Sequence, residues 1–263
     1  MTRSRLDVEL VRRQLARSRE QAQELIAAGQ VTVEGLTAVK PASGVSELTN
    51  IKVLVDADSE YVSRGAHKLV GALTTFNIDV AGRTALDAGA STGGFSDVLL
   101  RKGVGHIYCV DVGHDQLAEK VAKDPKVTAR DRTNVRYLTP EELGTQVDLV
   151  VADLSFISLE AVLPALISVM TPDADALLLV KPQFEVGKEA LGAGGVVESA
   201  EQRVDSVNKI ACKAYSLGLG TAGVVASPLP GPSGNVEYFL WLRQGAAAPD
   251  IASIQQAVAE GPA

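Results

Sequence analysis

Apolar residues recur along this chain with two different periodicities. In the first part they fall at helical spacing, which predicts two short amphipathic helices. The positions concerned are Leu6, Leu10 and Val11, followed by Ala22, Leu25 and Ile26. The segment QVTVEGL then alternates apolar and polar residues up to Gly35, as a strand entering a turn does. We therefore expect a small α+β unit that extends to IKVLVD at residues 51–56.

After the polar stretch DADSEYVSRG, apolar runs alternate with helical patterns. The runs that predict strands are TALDAG, HIYCVDV, KVTAR, VDLVVADL, DALLLVKP, TAGVVASP and EYFLWL. This alternation predicts a Rossmann-like, doubly wound and mostly parallel sheet with helices on both faces. Such sheets bind ligands outside the carboxyl ends of their strands, where the strand order reverses.

Length and composition indicate a soluble protein with more than one domain. The chain has 263 residues, of which 46% are hydrophobic and 22% charged, and a single domain typically has ~100–200. We predict a small domain over residues 1–58, a linker over 59–62 and a large domain over 63–263. Nothing in the sequence requires a dimer, so we expect a monomer.

The cysteines and the hydropathy of the chain indicate the cellular location that we expect for the protein. Cys109 and Cys212 lie far apart and form no CxxC pair, so we expect neither a disulfide framework nor a metal site, and a reducing, cytoplasmic location. The first 20 residues lack the apolar core of a signal peptide. The longest apolar zone, at residues 149–170, is interrupted by two acids and a proline, so we expect no contact with a membrane.

The stretch LDAGASTGGF at residues 86–95 follows a predicted strand and leads into a predicted helix. Its glycines do not have the GxGxxG spacing of a dinucleotide fingerprint, although Asp111 ends the next strand, where a ribose-binding acid is expected. A cofactor with a ribose but no pyrophosphate, such as S-adenosylmethionine, fits this pattern better. A dehydrogenase and a purely structural turn remain alternatives.

The residues predicted to bind the cofactor lie in this loop and at neighbouring strand ends. They are Asp87, Gly89, Ser91, Thr92, Gly93, Gly94, Asp111, Asp131 and Phe156. Asp131 follows the third strand, where adenine recognition is expected. Phe156 would stack on adenine or on an extruded base, or else pack in the core.

Four charged residues lie close to predicted strand ends or in the helix before the first strand. They are Lys68, Asp153, Lys181 and Glu237. Each of them singly could be an ordinary surface charge. As a set they have a precedent in a known family.

The N-terminal stretch LARSREQAQELIAAGQVTVEG resembles the S4 RNA-binding domain over roughly residues 5–56. The net charge of −7 argues against general attraction to nucleic acid, but the first 19 residues are locally basic. The resemblance implies phosphate contacts by Arg3, Arg5, Arg17, Arg19 and Lys40, with ordinary solvated charge as the alternative.

Residues 63–243 resemble the FtsJ-like ribose 2′-O-methyltransferases. In that family DAGASTGGF is the cofactor motif, and Lys68, Asp153, Lys181 and Glu237 match a catalytic Lys-Asp-Lys-Glu tetrad in order. The segments VSRGAHKL, VADLSFISL, LVKPQFEVGK and SPLPGPSGNVEYFLWL extend the likeness to the TlyA-type, or haemolysin A, rRNA methyltransferases. The resemblance implies methylation of cytidine ribose in the rRNA of both ribosomal subunits.

A ribose 2′-hydroxyl is a poor nucleophile until its proton is removed or polarised. We expect Lys181 to act as the base, with the positive charge of Lys68 favouring its neutral form by like-charge repulsion. Asp153 and Glu237 would orient the two lysines. No metal is required for this chemistry.

Further residues on the predicted active edge are candidates for RNA contact. They are Arg132, Arg136, Lys188, Ser233 and Asn235, with solvated charge or turn formation as the alternatives. Two rival functions remain. One is a membrane-active haemolysin, which the sequence hardly supports, and the other is a non-catalytic RNA-binding or ribosome-assembly factor.

Overall fold

The structure is a computed structural model that describes most of the chain. The described residues are 3–13, 15–16, 19–27, 29–38, 40–46, 48–53, 61–187, 189, 191–231 and 234–261. The chain divides into two compact units, Met1–Glu60 and Tyr61–Ala263. The predicted limits of the linker at residues 59–62 stay a prediction, since residues 54–60 lie outside the described part.

The first unit is a small α+β fold. Helix α1 (Leu6–Arg12) packs on α2 (Arg19–Ala27), and β2 (Val31–Val33) pairs with β3 (Leu36–Thr37) and β5 (Ile51–Val53) in a three-stranded antiparallel sheet. Two further short strands, β1 (Ser4–Arg5) and β4 (Gly44–Val45), pair with each other. The predicted helical positions Leu6, Leu10, Ala22 and Ile26 form the core of the unit.

The turn between β2 and β3 falls where the sequence predicts it. Glu34 and Gly35 both have positive φ, at 51° and 82°. This is the conformation that a two-residue hairpin turn requires, and glycine adopts it without steric cost. The turn sequence thereby fixes the pairing of the two strands.

The second unit contains a seven-stranded sheet in the order β11-β12-β10-β9-β6-β7-β8. The strands are β6 (Thr84–Ala88), β7 (His106–Val110), β8 (Val127–Arg130), β9 (Val147–Ala152), β10 (Met170–Val180), β11 (Leu219–Ala226) and β12 (Tyr238–Gln244). Strands β8, β7, β6, β9 and β10 are parallel, whereas β12 runs antiparallel to both of its neighbours. The predicted doubly wound, mostly parallel sheet is confirmed.

Helices cover both faces of this sheet. They are α3 (Ala66–Phe76), α4 (Gly94–Arg101), α5 (Glu119–Ala122), α6 (Pro140–Leu143), α7 (Leu159–Ser168), α8 (Pro182–Glu185), α9 (Ala200–Ser216) and α10 (Ile251–Glu260). Alternate residues of a strand point to opposite faces. Leu149 and Val151 of β9 accordingly join the core under α3 and α4, whereas Val150 and Ala152 join the core under α7 and α9.

The topology places one edge of the sheet at a switch point. From β6 the chain continues through β7 and β8 on one side and through β9 and β10 on the other. The carboxyl ends of these parallel strands share one edge, where ligands bind in folds of this kind. Because β12 runs in the opposite direction, its first residue lies at this same edge.

Among the described residues, the helices are all too short or too polar to cross a bilayer.

Candidate active site

The glycine-rich loop after β6 packs directly against the end of β9. Gly89 has a φ of +81°, and a Cβ there would lie 2.8 Å from the carbonyl oxygen of Asp153. Gly93, with a φ of +86°, is the N-cap of α4, and a Cβ on it would lie 3.0 Å from Val121 Cγ1. A side chain at Gly89 would therefore force the loop away from the end of β9, and one at Gly93 would press on Val121 of α5, so the open backbone predicted from the sequence is required here.

Other members of the predicted cofactor set surround this loop. Ser91 is exposed and has a φ of +46°, while the Thr92 carbonyl accepts a hydrogen bond from Ala118 N. A Cβ on Gly94 would lie 2.1 Å from Ser63 Oγ, so the segment before α3 also contacts the loop. The loop is thus enclosed by segments from both sides of the switch point.

Asp111 links the glycine-rich loop to the end of β7. Its carboxylate accepts hydrogen bonds from Ser91 N at 2.8 Å and Gly113 N at 2.7 Å. Asp131 has the same position after β8 and accepts from Asp115 N at 2.9 Å. The predicted ribose and adenine acids therefore follow neighbouring parallel strands.

Asp131 also belongs to the surface cluster His114, Asp115 and Asp131, whose ligand atoms lie within 4.8 Å of one another. Exposed groups of this kind often cluster without an ion. The cluster alone therefore assigns no metal.

Asp87 lies at the buried end of β6, and among the acids near the glycine-rich loop its pKa is shifted most. Ser96 Oγ donates to its Oδ2 at 2.6 Å, whereas Oδ1 has no hydrogen-bond partner among the residues that the structure describes. Burial raises the pKa of Asp87 to about 7, although the bond from Ser96 opposes the shift. This carboxyl group consequently holds a proton in mildly acidic solution.

This shift predicts a pH dependence of stability. In the unfolded chain Asp87 ionises near pH 4, whereas in the folded protein it keeps its proton up to about pH 7. The unfolded state therefore binds fewer protons between these values, and the free energy of unfolding falls as the pH rises through this window. Asp87→Asn should remove this component and be the more stable protein above pH 7, by a few kcal/mol as an order of magnitude.

Chemical denaturation of both proteins between pH 4 and 8 measures this difference. Asp205→Asn, which changes an exposed acid of α9, is the control for lost charge. Parallel curves for Asp87→Asn and the unchanged protein would refute the assignment.

The four residues of the predicted tetrad lie together at the switch-point edge. Lys68 Nζ of α3 donates to Glu237 Oε2 at 2.7 Å, and Lys181 Nζ lies 2.6 Å from Asp153 Oδ1. Glu237 is fully buried, and both lysines are nearly so. The structure therefore forms two ion pairs, each of one lysine and one carboxylate.

The two pairs interact with each other. Burial pushes the pKa of Asp153 upward, but the ammonium groups of Lys181 and Lys68 together hold it below its usual value. Both lysines thus act on one carboxylate, and the four charges form a single electrostatic cluster.

Sequence reasoning missed two residues that contact Lys181. Ser155 Oγ accepts a hydrogen bond from Lys181 Nζ at 2.9 Å, and the Phe184 ring centroid lies 6.0 Å from the same atom. Both residues lie within segments that carried the family resemblance. A signal for them was therefore present, but serine and phenylalanine are too common for it to be recognised.

Phe156 projects from the loop after β9 and is 81% exposed, with a φ of +64°. Its ring lies 5.2 Å from that of Phe184. The alternative that Phe156 is a core aromatic is therefore wrong. Both rings line a cavity of about 250 Å³ that also includes Ser155, Lys181, Gln183, Gly194, Gly195 and Asn235.

Asn235 is buried and braces one wall of this cavity. Its Oδ1 accepts from Val197 N at 3.0 Å and its Nδ2 donates to the Gly195 carbonyl at 3.0 Å. The amide is thus engaged by the protein itself, which gives Asn235 a positioning role, and direct contact with RNA stays a prediction. Ser233 lies outside the described residues.

The basic residues predicted on the active edge are partly described. Arg132 and Arg136 are exposed in the segment after β8, and Arg136 lies over the ring of Tyr137 at 5.8 Å. Lys188 lies outside the described residues. An exposed arginine beside an exposed aromatic ring suits contact with nucleic acid.

In the first unit the arginines divide into two groups. Arg5 and Arg19 pair with Asp7, whereas Arg12 and Arg13 pair with Glu9. Arg3 and Lys40 are exposed, and Arg17 lies outside the described residues.

Comparison with known proteins agrees with both units. Residues 4–47 match the S4 domain, and residues 61–244 match the FtsJ-like methyltransferase. The chain belongs to the FtsJ-like methyltransferase family. This confirms the resemblance predicted from the sequence.

Within that family the chain belongs to the TlyA group. It is 57% identical to the 16S/23S rRNA (cytidine-2′-O)-methyltransferase TlyA of Mycobacterium tuberculosis over 99% of both chains. It is 30% identical to the 23S rRNA (cytidine-2′-O)-methyltransferase TlyA of Campylobacter jejuni, over 88% of this chain and 96% of the relative. A solved structure described as a candidate hemolysin from Streptococcus thermophilus has 35% identity and a TM-score of 0.78, over 99% of this chain and 96% of that one.

Proposed function

We infer that the protein is an rRNA cytidine-2′-O-methyltransferase that modifies both 16S and 23S rRNA, the activity printed in the name of its M. tuberculosis relative. The observation that carries this inference is the pair of buried ion pairs, Lys68 with Glu237 and Lys181 with Asp153, beside the glycine-rich loop. A site of this kind supplies proton handling and positioning without a covalent nucleophile.

S-adenosylmethionine is the proposed methyl donor, and the residues of the loop fit it. Gly89 and Gly93 leave the backbone open, and Asp87 has an acceptor oxygen without a partner among the described residues. Asp111 would hold the ribose and Asp131 the adenine. When bound, this cofactor supplies a methyl group activated by a sulfonium.

Lys181 is the proposed base for the ribose 2′-hydroxyl. In its neutral form the amine can take the hydroxyl proton, and its Nζ lies 2.6 Å from Asp153 Oδ1. The charge of Lys68 acts on the same Asp153 carboxylate, and Glu237 pairs with Lys68. Asp153 and Ser155 hold the Lys181 side chain in place during the transfer.

The cavity beside Lys181 is the proposed site of the target cytosine. Phe156 and Phe184 offer aromatic faces at its wall, and an enzyme that modifies a nucleotide within folded RNA commonly extrudes it into such a pocket. This location favours stacking of Phe156 on an extruded base over stacking on the cofactor. The exposed basic residues of each unit would bind phosphates of the same RNA.

Methylation of purified ribosomal subunits tests this function. Unmodified 30S and 50S subunits are incubated with full-length protein and labelled S-adenosylmethionine, and modified positions are mapped by mass spectrometry of rRNA fragments. We expect 2′-O-methylcytidine in both subunits. Binding without methylation would favour the assembly factor, methylation of 50S alone would overturn the dual substrate, and leakage of liposomes would favour the haemolysin.

Asp111→Ala tests the cofactor assignment. The change removes a charged acceptor and the anchor of Ser91 N, a loss of ~1.5–3 kcal/mol, so S-adenosylmethionine should bind roughly 10–100-fold more weakly. Calorimetry measures this affinity. Asp115→Asn, which removes an exposed charge from the same loop and keeps a residue that tolerates its φ of 53°, should leave it nearly unchanged, and equal affinities of Asp111→Ala and the unchanged protein would reject the assignment.

A further inference from the structure

Asp7, in the first turn of α1, is a fully buried carboxylate. Its two oxygens accept from Arg5 Nε and Nη2, both at 2.9 Å. Arg19 Nη2 and Gln23 Nε2 add further bonds at 3.2 Å and 3.1 Å. One acid therefore joins residues from both helices of the first unit.

These hydrogen bonds stabilise the ionised form of Asp7. The hydrogen bonds from Arg5 hold the pKa of Asp7 well below its usual range, although burial opposes the shift. Burying a carboxylate costs several kcal/mol unless it is paired and hydrogen-bonded. Asp7 is thus a permanent negative charge beneath two arginines.

Arg5 and Arg19 face outward from this buried acid. Their side chains are 49% and 57% exposed. Asp7 engages the Nε and Nη2 edge of Arg5 and only Nη2 of Arg19, which leaves other guanidinium donors free of Asp7. These donors can form the bidentate contacts that arginine makes with phosphate.

Glu9 provides an internal comparison, because it is also buried and also paired with two arginines, Arg12 and Arg13. The Nη1 and Nη2 atoms of Arg13 donate to backbone carbonyls of the turn at 46–49. The Glu9 cluster thus connects α1 to a neighbouring loop through Arg13 and orients one half-exposed arginine, Arg12, whereas the Asp7 cluster orients two half-exposed arginines.

We propose that Asp7 is a positioning residue for RNA recognition. It holds Arg5 and Arg19 in a fixed orientation in which they bind neighbouring phosphates of folded rRNA. The inference rests on the proposed function. Fixing two flexible side chains in advance lowers the entropy lost on binding. An acidic residue would then increase affinity for a polyanion.

The variant Asp7→Asn tests this proposal, because the two explanations predict opposite changes in its affinity for RNA. The change removes a negative charge next to two arginines, so simple electrostatics predicts tighter binding to RNA. A positioning role for Asp7 predicts weaker binding of the variant to RNA. We expect the Kd for purified 30S and 50S subunits to rise by about tenfold with a shallower salt dependence, and kcat at saturating subunits to be unchanged.

Glu9→Gln is the matched control. It should lower the melting temperature at least as much as Asp7→Asn, yet change subunit binding by no more than about twofold, because it releases one half-exposed arginine, Arg12, while Arg13 stays bound to the carbonyls of the turn. Equal or tighter binding by Asp7→Asn, with full methylation by the unchanged protein, would overturn this inference alone. An unchanged protein that neither binds nor methylates subunits would overturn the proposed function and this inference with it.

A double substitution covers the case in which Asp7→Asn fails to fold. Arg5→Lys with Arg19→Lys keeps both positive charges and Asp7 but loses the planar guanidinium groups. Positioning predicts about the same tenfold loss in this variant, and wild-type affinity there would refute it. Where Asp7→Asn does fold, adding it to the two lysines should cause no further loss, and a further tenfold loss would show that Asp7 acts through folding.

Discussion

Replacing Lys181 with alanine is expected to slow methyl transfer ~10²–10⁴-fold, the range for loss of a positioned general base. The measurement is the single-turnover rate with saturating subunits and S-adenosylmethionine. Binding of both should persist, because the change leaves in place Asp111 and the arginines of the first unit, which are proposed to bind the cofactor and the RNA. Near-normal turnover would show that Lys181 is not the base.

Two further variants sharpen this result. Lys209→Ala removes a half-exposed lysine paired with Glu160 on the surface and should leave the rate unchanged. Lys68→Ala removes the second ammonium of the cluster and should move the pH profile of the reaction. A loss of rate in Lys68→Ala without any change in profile would argue that Lys68 acts by structure alone.

Glu237→Ala is expected to lower the free energy of unfolding by about 3–5 kcal/mol, because it leaves the buried ammonium of Lys68 without its carboxylate. Denaturant titration measures the loss. Because Glu237 is expected only to orient a lysine, its loss should slow methyl transfer less than Lys181→Ala does. The burial of the pair adds a cost in stability.

The double variant Lys68→Met/Glu237→Leu separates the two effects. Apolar residues of similar volume commonly replace a buried ion pair without loss of stability, so this protein should regain most of the stability but not the lost rate of methyl transfer. Glu119→Ala, which breaks an exposed pair with Lys123, should cost no more than about 0.5 kcal/mol. If Glu237→Ala unfolds as the unchanged protein does, the pair is not a structural ion pair.

The sequence predicted the glycine-rich loop and Asp111 from physical reasoning, because strand ends and glycine spacing are local features. The tetrad required a resemblance, since Lys68 and Glu237 lie 169 positions apart yet meet at 2.7 Å. The contact of Ser155 with Lys181 escaped notice because it depends on the register of β9 against β10.

Charge pairing in the first unit also could not be read from the sequence. Arg5, Arg12, Arg13 and Arg19 look alike as a basic run, and only packing shows which of them pair with Asp7 and which pair with Glu9. The raised pKa of Asp87 is likewise a consequence of burial. No local sequence pattern predicts that an acidic side chain is buried.

The reversed direction of β12 has a consequence for how such enzymes can change. Strands β11 and β12 form a hairpin whose connection, residues 227–237, delivers both Glu237 and the Asn235 brace to the reactive edge. The residues proposed to hold the methyl donor all lie on the other half of the sheet. Exchange of this one hairpin connection between relatives would therefore alter Glu237 and the Asn235 wall of the cavity, and leave the half that holds the donor unchanged.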